Sequence, residues 1–173
     1  MRLSSGILIV PIIAAVAPAA MATAYLSPEQ AVAAIFDGRS DFKGSTLKLT
    51  KEQRKAVSDS TGLTVRDKEI KVWTAADGSR MYVDQVVGKH EFITFAAGIG
   101  PDGKVRGVEI LEYKETYGGE VRRPEWRKQF KGKKLGDPLK LGSDIMNISG
   151  ATLSSRSITD GVKRLLAIRA LVK

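Results

Sequence analysis

Four apolar runs, separated by turn residues, occupy the middle of the chain and restrict its fold more than any other feature. They cover residues 70–73, 81–87, 92–99 and 105–113. Short runs rich in β-branched and aromatic residues are typical of strands. Glycine and proline between them, as in Gly100-Pro101-Asp102-Gly103, indicate tight turns. Because short connections join antiparallel neighbours, the region predicts an antiparallel sheet of about four or more strands.

Helical signals lie on both sides of these strands. Ser27 before Pro28 predicts the start of one helix, and Thr50 with Gln53 forms a capping box that begins a second. A third helix is predicted over about residues 154–172, where Ile158, Val162, Leu165, Leu166 and Ile168 recur at helical spacing. N-terminal helices and a C-terminal helix around an antiparallel sheet indicate an α+β fold.

The composition excludes several kinds of redox and metal centre. The chain has no cysteine, which rules out disulfides, thiolate metal sites, iron–sulfur clusters and thioether-linked haem. His90 is the single histidine, so no multi-histidine metal site can form and no metal site is predicted. No nucleophile–base pair is visible, and we expect no enzyme activity from the chain alone. An electron carrier built from this chain needs a cofactor that is not held by sulfur.

The net charge is +9, and its distribution does not suggest a nucleic acid as the partner. The lysines and arginines are scattered, and aromatic residues make up only 6% of the chain. Nucleic-acid surfaces usually cluster their basic residues and interleave them with aromatic ones. We therefore expect no nucleic-acid binding, and the charge is compatible with acidic partners.

Residues 1–24 are predicted to be a secretory signal peptide. Arg2 precedes an apolar segment at 6–16, and small residues allow cleavage after Ala22 or Ala24. Alternatively the leader is retained as a membrane tether, although two prolines interrupt it and it is barely long enough to span. Either way, a single domain at 25–173 is expected to be periplasmic or otherwise outside the cytoplasm.

A run of small and hydroxyl-bearing residues precedes the last helix. It consists of Ser149, Gly150, Ala151, Thr152, Leu153, Ser154 and Ser155. We expect a serine or threonine of this run to cap the helix. The N-terminus of a helix attracts phosphate, and residues with little bulk allow a ligand to approach the backbone. The run therefore predicts a phosphate-binding turn with the Thr152 hydroxyl beside the phosphate.

This run resembles the flavinylation motif of the FMN-binding domain family, which includes the C subunit of the sodium-pumping NADH:quinone reductase and the G subunit of the Rnf complex. In that family a dedicated FMN transferase esterifies the motif threonine to the FMN phosphate. The resemblance covers about residues 89–164 and implies attachment of FMN at Thr152. The family usually has an aspartate six residues before the threonine, where this chain has Met146.

A second segment, Glu115-Thr116-Tyr117-Gly118, resembles the family's loop beside the isoalloxazine ring of FMN. The glycines that follow allow positive φ and close approach to a flat ligand. The alternative is that the segment is only a turn between a strand and a helix. A short helix is then predicted over 124–130, in which Trp126 and Phe130 share a face. That pair belongs either to the core or, for Trp126, to a stacking position near the flavin.

The first functional hypothesis is an exported electron-transfer domain that carries FMN, attached through a threonine phosphoester. It implies an FMN transferase for maturation and redox partner proteins, with membrane-bound partners among them. The second hypothesis is an exported, non-redox interaction module in which Ser149–Ser155 only caps a helix. A flavin reductase is disfavoured, because no glycine fingerprint for a nicotinamide nucleotide opens a βαβ unit.

Overall fold

The computed structural model describes residues 23–172, so residues 1–22 of the predicted leader lie outside the described residues. An antiparallel sheet of six strands in the order β1-β6-β5-β4-β3-β2 occupies the centre of the described region. The strands are β1 (Thr23–Ala24), β2 (Lys43–Lys48), β3 (Glu69–Thr74), β4 (Arg80–Val87), β5 (Phe92–Ile99) and β6 (Val105–Tyr113). The four predicted strands are confirmed as β3 to β6. Strand β2 was missed because its residues are mostly polar and exposed at the edge of the sheet.

Among the described residues, four α-helices surround the sheet, and the α+β prediction is confirmed. They are α1 (Pro28–Ile35), α2 (Lys51–Thr61), α3 (Pro124–Arg127) and α4 (Thr152–Leu171). The predicted Thr50–Gln53 capping box is present, and Ser27 is the N-cap of α1 as predicted. Ser27 also forms a capping box of its own, because its hydroxyl accepts a hydrogen bond from the Gln30 N–H. Within residues 23–172, no helix is long and apolar enough to cross a membrane.

The sheet is covered on both faces, which explains the nearly continuous apolar sequence of β5. Phe95 points toward α4 and packs in a core with Ile158 and Leu165. Ala96, the next residue, points the other way and packs with Ala31 of α1. Successive strand residues face opposite sides, so a strand between two helical layers buries both sets of side chains.

Helix α4 packs against the sheet at a glycine. A Cβ atom added to Gly161 would lie 2.6 Å from the ring of Phe95, which is fully buried. That distance is well below an ordinary van der Waals contact. The close approach fixes the height of α4 above the sheet, and with it the position of the residues at the start of the helix.

We predict that Gly161→Val destabilises the protein by about 1–3 kcal/mol, because extra carbons in a packed interface force neighbouring side chains to move. Urea unfolding followed by circular dichroism measures the change. Ala170→Val is the control, since Ala170 is an exposed residue of the same helix. Equal stabilities of the two variants would show that the contact between α4 and the sheet tolerates added volume.

Candidate functional site

A cleft of about 420 Å³ lies between three segments: the turn joining β4 to β5, the segment after β6, and the first turn of α4. This volume is within the range of pockets that hold small molecules and cofactors. Its lining residues are Lys89, His90, Glu91, Lys114, Glu115, Thr116, Tyr117, Gly150, Ala151, Thr152, Leu153 and Ser154.

The cleft brings together the two segments that the sequence singled out separately. Most of the predicted site residues line it, namely Glu115, Thr116, Tyr117, Gly150, Ala151, Thr152, Leu153 and Ser154. Ser149 is exposed and Gly118 is half-buried, and neither is part of this lining; Ser155 is a fully buried residue of α4. Trp126 does not line the cleft.

Thr152 is the first residue of α4 and is half-buried. Its hydroxyl oxygen accepts a hydrogen bond from Asn147 Nδ2 at 3.0 Å. The N-cap is Ala151, which has no side-chain acceptor, so the prediction that a serine or threonine caps this helix is wrong. The physical reason is that the nearby hydroxyls have other environments: Ser154 lies against Tyr113, and Ser155 is buried without a hydrogen-bond partner.

Tyr113 connects the loop after β6 to the start of α4. Its phenol donates a hydrogen bond to the carbonyl of Tyr117 at 2.5 Å and lies 3.2 Å from the Ser154 hydroxyl. Burial raises the pKa of Tyr113, so the phenol remains protonated near neutral pH. Gly118 has φ of +86°, and a Cβ there would lie 2.8 Å from the phenol oxygen. Glycine therefore allows the loop to fold tightly over Tyr113.

The carboxylate of Glu115 contacts the backbone of the turn between β4 and β5. Its Oε1 accepts hydrogen bonds from the N–H groups of His90 at 2.5 Å and Glu91 at 3.0 Å. Burial raises the pKa of Glu115, but the backbone donors of Glu91 and His90 outweigh it and hold the pKa below its usual value. Glu115 thus joins two walls of the cleft.

Trp126 supports the motif turn from the core side. It is 4% exposed, and its ring packs edge-on against Phe130 with 5.1 Å between the centroids. The indole Nε1 donates a hydrogen bond to the carbonyl of Met146 at 2.8 Å. The predicted short helix is present as α3 followed by a 3-10 turn at Lys128–Phe130, which keeps both rings on one side. The structure thus places Trp126 in the core.

Several residues in or near the cleft had no clear functional signal in the sequence. Lys89, His90 and Glu91 reach it because the hairpin of β4 and β5 ends beside the loop after β6. Asn147 precedes the motif and contacts Thr152 only after the chain turns back on itself. Asp144 accepts hydrogen bonds from the N–H groups of Leu139 and Lys140, so it caps a turn.

Comparison with known proteins finds a family model that matches the region of this site. Residues 88–167 match the FMN-binding domain family. The G subunit of the ion-translocating oxidoreductase complex of Erwinia tasmaniensis is 34% identical over 83 residues, which cover 42% of this chain and 40% of that protein. The G subunit of the proton-translocating ferredoxin:NAD(+) oxidoreductase complex of Clostridium ljungdahlii is 33% identical over 106 residues, covering 54% and 57%. The chain therefore spans less than two-thirds of either relative.

The fold also has a counterpart among solved structures. NqrC of Shewanella oneidensis superposes with a TM-score of 0.59, covering 82% of this chain and 91% of that one. The sequence identity over this superposition is 16%, so the likeness concerns the fold alone.

We predict that acid weakens the contact between Glu115 and the turn. Because the carboxylate has a lowered pKa in the folded state, the stability that it contributes is present above about pH 4.3, the ordinary glutamate value. That stability is lost as the pH falls through the folded-state pKa. Glu115→Gln should lack this acid-dependent component. Melting temperatures from pH 7 downward, compared for wild type and variant, measure it.

Glu125→Gln is the control for this pH series. Glu125 is exposed, and within residues 23–172 its side chain makes no ion pair or hydrogen bond to a protein group. Parallel pH profiles for wild type and Glu115→Gln would contradict the assigned role of the carboxylate.

Proposed function

We propose that this chain is an exported electron-transfer domain that carries FMN on Thr152. The match of residues 88–167 to the FMN-binding domain family supports this proposal. FMN is the cofactor that the family indicates. The observation that supports the attachment site is the cleft, in which the half-buried Thr152 faces the segment Glu115–Tyr117 across one space of about 420 Å³. The small residues Gly150 and Ala151 suit the phosphate of FMN, and the side of the cleft that carries Tyr117 suits its flat ring.

The residues of the cleft fit the chemistry of FMN part by part. The start of α4, with Gly150 and Ala151 beside Thr152, offers backbone N–H groups and little bulk to a phosphate. Thr116 and Tyr117 on one side and His90 on the other flank the space left for a flat ring. Bound FMN supplies the redox chemistry, and the surrounding charges and hydrogen bonds adjust its potential.

Attachment through Thr152 needs an activated donor and an FMN transferase. Thr152 Oγ1 forms a bond to the FMN-side phosphorus of FAD, and the bond from that phosphorus to the bridging oxygen of AMP breaks. AMP leaves, and the hydroxyl proton passes to a base of the transferase, so nothing is oxidised or reduced. This ester needs neither cysteine nor histidine, which agrees with a chain that has no cysteine.

The proposal also includes export of the protein and redox partner proteins. Strand β1 pairs with β6 through Thr23 opposite Tyr113, and this pairing supports cleavage of the leader after Ala22, since cleavage after Ala24 would remove the strand. The two relatives are named as parts of ion-translocating and proton-translocating oxidoreductase complexes. Those names support redox partner proteins for this chain, with membrane-bound partners among them.

The competing hypothesis is a non-redox interaction module, and it requires that Ser149–Ser155 serves only to cap the helix. Ala151 occupies the N-cap position and has no side-chain acceptor. Thr152 instead lines the cleft, and its hydroxyl accepts a hydrogen bond from Asn147. No feature of the described residues favours this second hypothesis over an electron carrier.

We predict that co-expression with an FMN transferase adds the mass of one FMN less one water to the wild-type protein. Thr152→Val should show no covalent gain, because valine has the same shape but no hydroxyl. Intact mass spectrometry under denaturing conditions, together with flavin fluorescence of the denatured band, measures attachment. Ser157→Ala is the control on the same helix and should gain the full mass.

Two results would contradict this assignment. A wild-type protein that stays colourless and unmodified in the presence of an active transferase would remove the proposed attachment. Attachment to Thr152→Val at the wild-type level would place the ester on another hydroxyl, with Ser149 and Ser154 as the nearest candidates in the motif.

A further inference from the structure

The acceptor hydroxyl has one side-chain partner among the described residues. Asn147 Nδ2 donates a hydrogen bond to Thr152 Oγ1 at 3.0 Å, although the Asn147 side chain is otherwise exposed. We infer that Asn147 is a positioning residue for the attachment step, holding the Thr152 oxygen in the orientation that the transferase modifies. This inference rests on the proposed phosphoester at Thr152.

The peptide that precedes Asn147 is anchored from the core. The Met146 N–H donates to Gln129 Oε1 at 2.7 Å, and the Met146 carbonyl accepts from Trp126 Nε1 at 2.8 Å. Trp126 is buried, so its indole holds the Met146 carbonyl in a fixed position. An exposed asparagine would normally sample several rotamers, but a pinned backbone limits where its amide can reach.

The other side of Asn147 is closed by a turn into α4. The Ala151 N–H donates to the Ile148 carbonyl at 3.0 Å, and Gly150 has φ of +82°. Only glycine adopts this left-handed conformation readily. The chain therefore reverses over a few residues, and the Asn147 amide meets a hydroxyl that follows it by five positions.

The direction of this hydrogen bond suits a nucleophilic hydroxyl. A hydroxyl oxygen has two lone pairs and one proton. Asn147 occupies one lone pair, which leaves the second for the phosphorus of FAD and the proton for a base of the transferase. Met146, the exposed neighbour in the same turn, has only a thioether and cannot donate. The amide thus restricts the hydroxyl without competing for its proton.

The test is the initial rate of covalent FMN transfer from FAD by a purified FMN transferase, at varied concentrations of the acceptor protein. We expect Asn147→Ala to lower kcat by about fivefold to tenfold, the loss of one hydrogen bond of ordinary strength, with KM little changed. Asn147→Asp should also lower the rate. A carboxylate cannot donate to the Thr152 oxygen and instead accepts a hydrogen bond from the Thr152 hydroxyl, whose proton must pass to the base of the transferase. Ser143→Ala, an exposed change in the same segment, should keep the wild-type rate.

A second measurement separates positioning from folding or flavin affinity. In a Thr152→Val background, non-covalent FMN affinity by fluorescence titration should be the same with Asn147 and with Asn147→Ala. Wild-type rates for both Asn147→Ala and Asn147→Asp would overturn the inference and leave the proposed function intact. A wild-type rate for Asn147→Asp alone would overturn the donor role. A wild-type protein that accepts no FMN would overturn both proposals.

Discussion

The hydrogen bonds around the Tyr113 phenol hold the cleft together. They join the end of the central sheet, the carbonyl of Tyr117 in the following loop, and the Ser154 hydroxyl in the first turn of α4. Ser154 lies 41 residues after Tyr113 in the sequence, and the phenol contacts both it and the nearby loop. Because Tyr113 is buried, the contact is shielded from water, which strengthens it relative to a surface hydrogen bond.

Two further side chains near Tyr113 also connect the segments around the cleft. Glu115 binds the backbone of the hairpin turn on one side, and Trp126 binds the backbone of the motif turn on the other. In both cases a side chain that could have faced a ligand contacts a neighbouring main chain instead. The cleft is thus shaped by polar contacts between its walls, which leaves Thr116, Tyr117 and Thr152 available to a ligand.

Local signals in the sequence were sufficient for most of the fold. Strands β5 and β6, the N-cap at Ser27 and the capping box at Thr50 were predicted from residues close together in the sequence, because apolar strand runs and helix caps act over a few positions. The motif at Thr152 was recognised for the same reason. Strand β2 was missed because pairing with β3, and not its own polar residues, makes it a strand.

The contacts within the site were not predictable from local pattern. Nothing near Glu115 indicates that its carboxylate binds the N–H groups of His90 and Glu91, since this depends on where a hairpin ends. The partner of Asn147 depends on a chain reversal, and the cap at Ala151 depends on which hydroxyls have better partners elsewhere. Such outcomes are decided by competition among residues that only the folded chain brings together.

The order of the elements along the chain has a consequence for biosynthesis. Helix α4 follows every other described element, and it provides the Thr152 side of the cleft, while the loop after β6 provides the other. A nascent polypeptide therefore has no cleft until helix α4 has emerged and packed against the sheet at Gly161. Any small molecule that binds there therefore binds only chains in which α4 has already folded onto the sheet.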